Sequence, residues 1–401
     1  MRILEPFKTL QEKHFARLYL AQGISLLGDS ITWLGIALLA YEFGGNESSK
    51  ILATALTLRV TAFIIFGSYA GIVADTFNRK KIMIITNMFR MIIVVSLAFV
   101  TATWQLYSLI FLLNIFNAFF SPAYKACIPQ LISRKANYGN AIALSNATWQ
   151  ILGILGPGLA GVIAVVWGSR QIFFADALTF ILSSVIITFI PISPIKEAAS
   201  RLQLNLSAAW NDMKTGSKLV FGNKPVRFAL FVELSSALAG AQVLVNTIGH
   251  IKGDLNMGDD EYGFIMAAFG AGATIAAFTS STIDRSQNKT GLLITGALLL
   301  GLSVSLANTV PFSILTALWV IAGCGISYSE MPSQILIAEN INKDSQGKAY
   351  GSHFAWTHVW WAIGYSLAGI TGTYLKGHEF LTGGLLSVMF IIMLLIFRSE
   401  K

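Results

Sequence analysis

The chain has 401 residues, of which 54% are hydrophobic and 12% are charged, whereas soluble domains usually carry about 25% charged residues. A single soluble core could not bury this much apolar surface, but a lipid bilayer can solvate the outside of every helix. The net charge of +8 does not indicate a nucleic-acid partner, because the basic residues lie in short segments between apolar runs. The two cysteines lie in apolar stretches and indicate neither a disulfide framework nor a metal cluster.

Twelve runs are long enough to cross a membrane as helices, since a span needs about 20 mostly apolar residues. The polar segment 194–225 contains an amphipathic stretch that we expect to form a linker helix, and it separates residues 1–193 from residues 226–401. The sequence therefore predicts an all-α membrane protein with two six-helix bundles. The predicted spans are residues 15–42, 49–74, 81–103, 105–128, 140–167, 171–192, 226–250, 261–283, 290–309, 311–337, 350–374 and 380–397.

The basic residues predict the orientation of these spans. With the N-terminus inside the cell, 22 of the 28 Lys and Arg residues fall in cytoplasmic segments and four fall in external ones. This asymmetry follows the positive-inside rule. We therefore expect both termini to be cytoplasmic.

Polar side chains at helical spacing occur in every third span. A charge at the centre of a bilayer costs about 2.5–3.5 kcal/mol on insertion scales, so such residues should face water or a partner. The four stripes predict an aqueous cavity lined by spans 1, 4, 7 and 10, and hydrogen bonding between packed helices is the alternative. The stripes consist of Gln22, Ser25, Asp29 and Thr32; Asn114, Asn117 and Ser121; Gln242, Asn246 and His250; and Ser327, Glu330 and Gln334.

Charged residues within the spans are candidates for ion coupling. Asp29 lies near the middle of span 1 and could bind and release a proton, because burial favours the neutral carboxyl. Arg59 in span 2 or Arg90 in span 3 could instead hold Asp29 in a static ion pair. Glu330 and Glu233 could each contact a proton or a cationic substrate, or could extend to the membrane surface.

Span 11 contributes two further candidates for the substrate cavity. His353 could titrate near neutral pH, and Trp361 could stack on a flat organic substrate. Aromatic packing or anchoring at the membrane interface is the alternative. Asp176, close to one end of span 6, is expected to be structural.

Two motifs resemble those of the major facilitator superfamily. Residues 71–81 (GIVADTFNRKK) look like its loop 2–3 signature, with Thr76 in place of the usual arginine. Residues 153–161 (GILGPGLAG) are similar to the glycine-proline motif of drug:proton antiporters. The alternatives are cytoplasmic positive charge for the first motif and close helix packing for the second. The resemblance implies a conformational latch at Gly71, Asp75, Arg79 and Lys80, and an antiporter-like motif at Gly153, Gly156, Pro157 and Gly161.

Shorter segments resemble the bacterial branch that contains macrolide-efflux and siderophore (enterobactin-type) exporters. The resemblance implies a monomeric antiporter in the bacterial plasma membrane that exports a drug- or siderophore-like molecule, with protons as the coupling ion, by alternating access. Such antiporters often have an arginine in span 4, about where Asn114 stands. The matching segments are residues 121–123 (SPA), 128–130 (IPQ), 176–180 (DALTF), 262–263 (YG) and 267–270 (AAFG).

Other functions remain as alternatives. The transporter could take up a solute, or it could flip a small amphiphile or lipid-like molecule. A non-transporting membrane sensor or scaffold is an alternative of a different class. The sequence contains no Gly-x-x-x-x-Gly-Lys-Ser/Thr run and no His-Glu-x-x-His motif. We therefore expect no ATP hydrolysis, no enzymatic activity, no cofactor and no metal.

Overall fold

The computed structural model describes residues 6–132, 170–192, 206–283 and 289–399, and isolated positions between 140 and 168. Its regular elements in these ranges are all helices. The N-terminal helices are α1 (Lys13–Gly44), α2 (Ser48–Thr76), α3 (Arg79–Leu97), α4 (Thr103–Leu131) and α5 (Ile172–Thr188). The others are α6 (Leu206–Gly222), α7 (Lys224–Gly249), α8 (Asp259–Ile283), α9 (Lys289–Ser305), α10 (Phe312–Asn340), α11 (Lys343–Tyr374) and α12 (Glu379–Ser399).

These helices correspond to the predicted elements. Helices α1–α4 are spans 1–4, α5 is span 6, α6 lies in the predicted linker, and α7–α12 are spans 7–12. Within the part of the chain that the structure describes, six ranges are long and apolar enough to cross a membrane, and the first, Lys13–Gly67, takes in α1 and most of α2. The all-α membrane architecture predicted from the apolar runs is confirmed.

Side-chain caps set several of the boundaries. Asn78 Oδ1 accepts a hydrogen bond from Lys81 N at 3.2 Å and starts α3. Asn223 Oδ1 accepts one from Val226 N at 3.2 Å at the start of α7. Span 3 was predicted to run to residue 103, but α3 ends at Leu97. The chain turns there because Gln105 Oε1 binds two backbone N–H groups at residues 101 and 102, ahead of α4.

The outer face of α3 shows how the helices fit a lipid environment. Ile85, Met88, Phe89 and Ile92 recur at helical spacing and are 46–55% exposed. The opposite face buries polar as well as apolar side chains, among them Asn87 and Arg90. An exposed apolar stripe with a buried polar one is the reverse of a soluble helix, and lipid is the solvent that suits it.

The chain forms two compact units. The first comprises Met1–Ile36 and Thr61–Leu204, and the second comprises Ala37–Val60 and Asn205–Lys401. Within the first unit, α3 packs against α4 and α5, and the apolar core includes Phe15, Met83 and Phe120. The adjoining ends of α1 and α2 belong to the second unit by their contacts, so each of these two helices is divided between the units.

Close backbone contacts hold the second unit together. In α8 and α10, a Cβ built on Gly272 would lie 1.9 Å from Val320 O, and one on Gly323 would lie 1.9 Å from Phe269 O. Only glycine permits this approach, which is typical of packed membrane helices. Helix α6 packs on α11, where a Cβ on Gly216 would lie 2.2 Å from Lys348 O.

Candidate functional site

A buried ion pair joins α1 to α3 in the first unit. Arg90 Nη2 donates to both carboxylate oxygens of Asp29 at 2.7 Å. The side chain of Arg90 is 2% exposed and that of Asp29 is 21% exposed. Of the two arginines that the sequence offered as partners of Asp29, Arg90 is the one that makes this contact.

Further contacts hold the Arg90 guanidinium in place. Nη1 donates to Asn87 Oδ1 at 3.1 Å, and the Asn87 amide donates to Ser183 Oγ of α5 at 3.1 Å. The guanidinium carbon lies 4.1 Å from the ring centroid of Phe180, within the range of a cation–π contact. A cation held by a bidentate carboxylate, an amide and an aromatic face has little freedom to change partner.

A second carboxylate belongs to the same cluster. Asp176 on α5 is fully buried, and it accepts hydrogen bonds from Thr32 Oγ1 at 2.5 Å and Thr179 Oγ1 at 2.9 Å. Both Asp29 and Arg90 act on it electrostatically. A Cβ on Gly28 would lie 1.9 Å from Asp176 Oδ1, so α1 and α5 meet at this point. Thr32 was predicted to face a cavity, and in the structure it binds Asp176.

The other polar residues predicted to line a cavity in the first unit have varied surroundings. Ser25 and Asn114 are buried, and the Asn114 amide donates to Ile110 O of its own helix at 2.8 Å. Gln22, Asn117 and Ser121 are partly exposed. These contacts are compatible with both a cavity lining and helix packing.

In the second unit, α7 and α11 bring a carboxylate to a histidine. His353 Nε2 lies 3.0 Å from Glu233 Oε2, and their side chains are 3% and 7% exposed. Glu233 acts electrostatically on the half-buried Glu330 of α10. The sequence singled out these three residues separately, but their separation along the chain carried no signal that they belong to one cluster.

The polar stripe of α7 makes contacts between helices. Gln242 Oε1 accepts from Asn246 Nδ2 at 2.5 Å and from Thr371 Oγ1 of α11 at 3.1 Å. Asn246 Nδ2 also donates to Ala368 O at 3.2 Å. This part of the stripe holds α7 to α11, as the packing alternative predicts.

The remaining predicted residues of the second unit are more scattered. Ser327 Oγ donates to Ala273 O of α8 at 3.0 Å, and Trp361 packs on Tyr365 with 5.3 Å between ring centroids. Gln334 is exposed. Arg59 of α2 belongs to this unit and acts electrostatically on His358 and Tyr365. His250 lies beyond the end of α7, in the π-helical turn His250–Asp254.

A cavity of about 360 Å³ lies between the first half of α2 and the second half of α11. Its volume is within the range of pockets that hold small organic molecules. It is lined by Lys50, Ala53, Thr54, Thr57, Leu58, Ser366, Gly369, Ile370, Thr373 and Tyr374.

The basic residues of the predicted latch bind backbone carbonyls of the first unit. Arg79 Nη1 donates to Ala126 O at 2.7 Å, and Lys80 Nζ donates to Thr188 O at 2.6 Å. Thr188 is the last residue of α5, where a cation is favourable because the last carbonyls of a helix lack partners, whereas Ala126 lies inside α4. A Cβ on Gly71 would meet nothing within 4 Å. The Asp75 side chain and the motif residues Gly153, Gly156, Pro157 and Gly161 lie outside the part of the chain that the structure describes.

Comparison with known proteins identifies the family to which this chain is similar. The family model of the Major Facilitator Superfamily matches residues 18–245 and 230–401. The chain is 26% identical to the uncharacterized MFS-type transporter YfiS of Bacillus subtilis (strain 168), over 96% of this chain and 93% of that protein. It is 22% identical to Macrolide efflux protein A of Streptococcus pyogenes, over 94% of each.

A solved structure has the same fold. The crystal structure of the nucleoside transporter NupG matches with a TM-score of 0.72 and 16% sequence identity, over 97% of this chain and 100% of that one. At this identity the similarity concerns the fold alone.

Proposed function

The chain belongs to the major facilitator superfamily, and from this membership we propose that it exports a small organic molecule in exchange for protons. It is an integral membrane transporter and not an enzyme. The proposed mechanism is alternating access, in which two six-helix bundles expose a central site first to one side of the membrane and then to the other. The proposed arrangement is a monomer in the bacterial plasma membrane with both termini in the cytoplasm.

Two features support export over uptake. The chain is similar over nearly its whole length to a macrolide efflux protein. Residues 153–161 also resemble the glycine-proline motif of drug:proton antiporters. The proposed substrate class is a drug-like or siderophore-like organic molecule.

The pair formed by His353 and Glu233 is the observation that carries the proton-coupling proposal. When the imidazole has taken up a second proton and become a cation, its pair with the Glu233 carboxylate has no net charge. Loss of this proton leaves an uncompensated carboxylate in a buried site, which is costly. Glu330 is a second acidic side chain close enough to Glu233 for the two to interact electrostatically. A cationic substrate group at this cluster would compensate the lost proton, so that the site holds either the proton or the substrate.

The pH difference across the membrane provides the energy for such an exchange. One proton exchanged for one cationic group moves no net charge, so the membrane potential does not drive this step. At about 1.36 kcal/mol per pH unit, each unit of pH difference supports roughly tenfold accumulation. The Asp29–Arg90 pair has a different proposed role: it holds α1 to α3 as a static ion pair.

Everted membrane vesicles test the proposal. Respiration acidifies the vesicle lumen, and a pH-sensitive dye reports protons that leave the lumen when a macrolide is added. We expect proton release and macrolide accumulation with the wild-type chain and with the control Glu339→Gln, whose side chain is 50% exposed. We expect at least a tenfold slower response with Glu233→Gln.

Two results would contradict the proposal. Substrate movement out of the everted vesicles would indicate uptake rather than export. A folded Asp29→Asn variant without a proton response, beside a Glu233→Gln variant with a normal one, would move the coupling site to the first unit.

A further inference from the structure

Three potential metal ligands meet where α7 ends and α12 begins. The π-helical turn His250–Asp254 places His250 Nδ1 2.9 Å from Asp254 Oδ2. His250 Nδ1 also lies 4.0 Å from Oε1 of Glu379, the first residue of α12. One ligand atom from each of the three residues lies within 4.8 Å of the other two.

Neighbouring groups orient two of these ligands. Asn308 Nδ2 donates to Glu379 Oε1 at 3.0 Å, and Asn308 Oδ1 accepts from Phe380 N and Leu381 N at 3.0 Å each. The Phe380 ring packs edge-on against the His250 ring, with 5.5 Å between centroids. Such supporting contacts are typical of metal sites, where they fix the direction of each ligand.

The cluster also contains buried polar atoms without partners. His250 is 5% exposed and Glu379 is 4% exposed. Among the described residues, Glu379 Oε2 and Asn246 Oδ1 have no hydrogen-bond partner, and neither has His250 Nε2, which lies across the ring from the Nδ1 that faces the carboxylates. The same three side chains line a cavity of about 20 Å³, which is room for one water molecule or one ion. Unsatisfied buried polar atoms are costly, so this cavity is expected to hold a polar occupant.

The donor set selects the kind of occupant. Ca²⁺ and Mg²⁺ prefer sites made only of oxygen ligands, whereas Zn²⁺ accepts imidazole nitrogen together with carboxylate oxygen. Asp254 and Glu379 supply two negative charges. Lys376, which also lines the cavity, offsets one of them, and the remaining negative charge still favours a cation.

We infer that His250, Asp254 and Glu379 bind one Zn²⁺ ion. In tetrahedral zinc sites, bonds of about 2.0–2.2 Å put the ligand atoms roughly 3.3 Å from one another. The distances of 2.9 and 4.0 Å from His250 Nδ1 bracket that value. The ion would tie the turn after α7 to the first turn of α12 and leave a fourth position for water. This inference does not depend on the direction or the substrate of transport.

Zinc binding is measured on the full chain, purified in detergent with a tag that contains no histidine and stripped with a chelator. We expect one Zn²⁺ per chain by calorimetry and an increase in Tm with added Zn²⁺ but not with added Mg²⁺. His250→Ala and Asp254→Asn should each weaken binding at least tenfold, because the loss of even a group that supports a metal ligand costs about 10–100-fold in affinity. Asp254 is 42% exposed, so its substitution should leave the fold intact.

Matched controls separate this site from adventitious binding. His378→Ala removes an exposed histidine next to the cluster, and Asp260→Asn removes an exposed carboxylate after the same turn. Both variants should bind zinc as the wild-type chain does. The inference is overturned if Zn²⁺ does not bind, or if Asp254→Asn and His378→Ala have equal effects.

Discussion

At the scale of single residues, the Asp29–Arg90 ion pair joins two groups of unequal exposure. The Arg90 side chain is 2% exposed and the Asp29 side chain is 21% exposed. Each partner therefore has a different fate when the other is removed. Arg90 would stay charged and buried without Asp29, since a guanidinium does not lose its proton in proteins. Asp29 without Arg90 could reach water, because its side chain is partly exposed.

This difference in exposure predicts which of two substitutions lowers the stability of the protein more. Breaking a buried ion pair costs about 3–5 kcal/mol when a charge is left uncompensated, and we expect Asp29→Asn to show a loss of this size. Arg90→Gln should lose less stability than Asp29→Asn. Unfolding temperatures of the two variants in detergent provide the comparison, and a larger loss for Arg90→Gln would contradict the burial argument.

Sequence reasoning found both members of this pair and could not choose the partner. Charged residues stand out within apolar spans, because each is costly there without a partner. Arg59 and Arg90 met this criterion equally well. Only the packing of α3 beside α1 made Arg90 the partner. The same holds for Glu233 and His353. The packing of α7 against α11 brings their side chains 3.0 Å apart, and their spacing along the chain does not predict this contact.

At the scale of helices, close contacts at glycines decide which helices pack. A Cβ on Gly28 would lie 1.9 Å from Asp176 Oδ1 and 2.1 Å from Thr179 Oγ1. The hydrogen bonds around Asp176 leave these atoms little room to move. On the same helix, a Cβ on Gly23 would meet nothing within 4 Å.

The two glycines of α1 should therefore respond differently to alanine. We expect Gly28→Ala to lower the Tm by several degrees, because α1 must move away from α5 or distort the Asp176 site. Gly23→Ala should leave the Tm unchanged or raise it slightly, since alanine favours helix by about 1 kcal/mol over glycine. Equal effects of the two substitutions would contradict the close contact at Gly28.

The linker helix α6 offers a second comparison. Ser217 Oγ lies 2.8 Å from Ser352 Oγ of α11, and Asp212 forms an ion pair with Lys348 at 2.8 Å. Gly216 lies at the centre of this contact, whereas a Cβ on Gly222 would meet nothing within 4 Å.

We expect Gly216→Ala to loosen α6 from α11, because the added methyl group would meet the backbone of α11. Limited trypsin digestion at Lys214 and Lys218 should then be several times faster than in the wild-type chain. Gly222→Ala is the control on the same helix and should be digested at the wild-type rate. Unchanged cleavage in Gly216→Ala would show that this close contact does not hold α6 in place.

At the scale of the whole molecule, charge distribution predicts how the chain sits in the membrane. Of the 28 basic residues, 22 fall in segments that are cytoplasmic when the N-terminus is inside. Lys214 in α6 and Lys376 between α11 and α12 are both exposed. The predicted topology places them on opposite sides of the membrane.

Labelling in intact cells tests this topology. Both native cysteines are first replaced by alanine, and a single cysteine is then introduced as Lys376→Cys or Lys214→Cys. A membrane-impermeant maleimide should label the first variant in intact cells and the second only after the membrane is opened. The reverse pattern would place both termini outside.

The sequence by itself determined the class of the protein and the type and approximate position of its helices, because only long apolar helices satisfy every backbone hydrogen bond in lipid. It also identified Asp29, Arg90, Glu233, Glu330 and His353, since polar groups within apolar spans are conspicuous. The tertiary structure decided which of them meet, and it brought Glu379 to His250. These contacts join separate helices, and their geometry depends on side-chain packing that hydrophobic periodicity does not record.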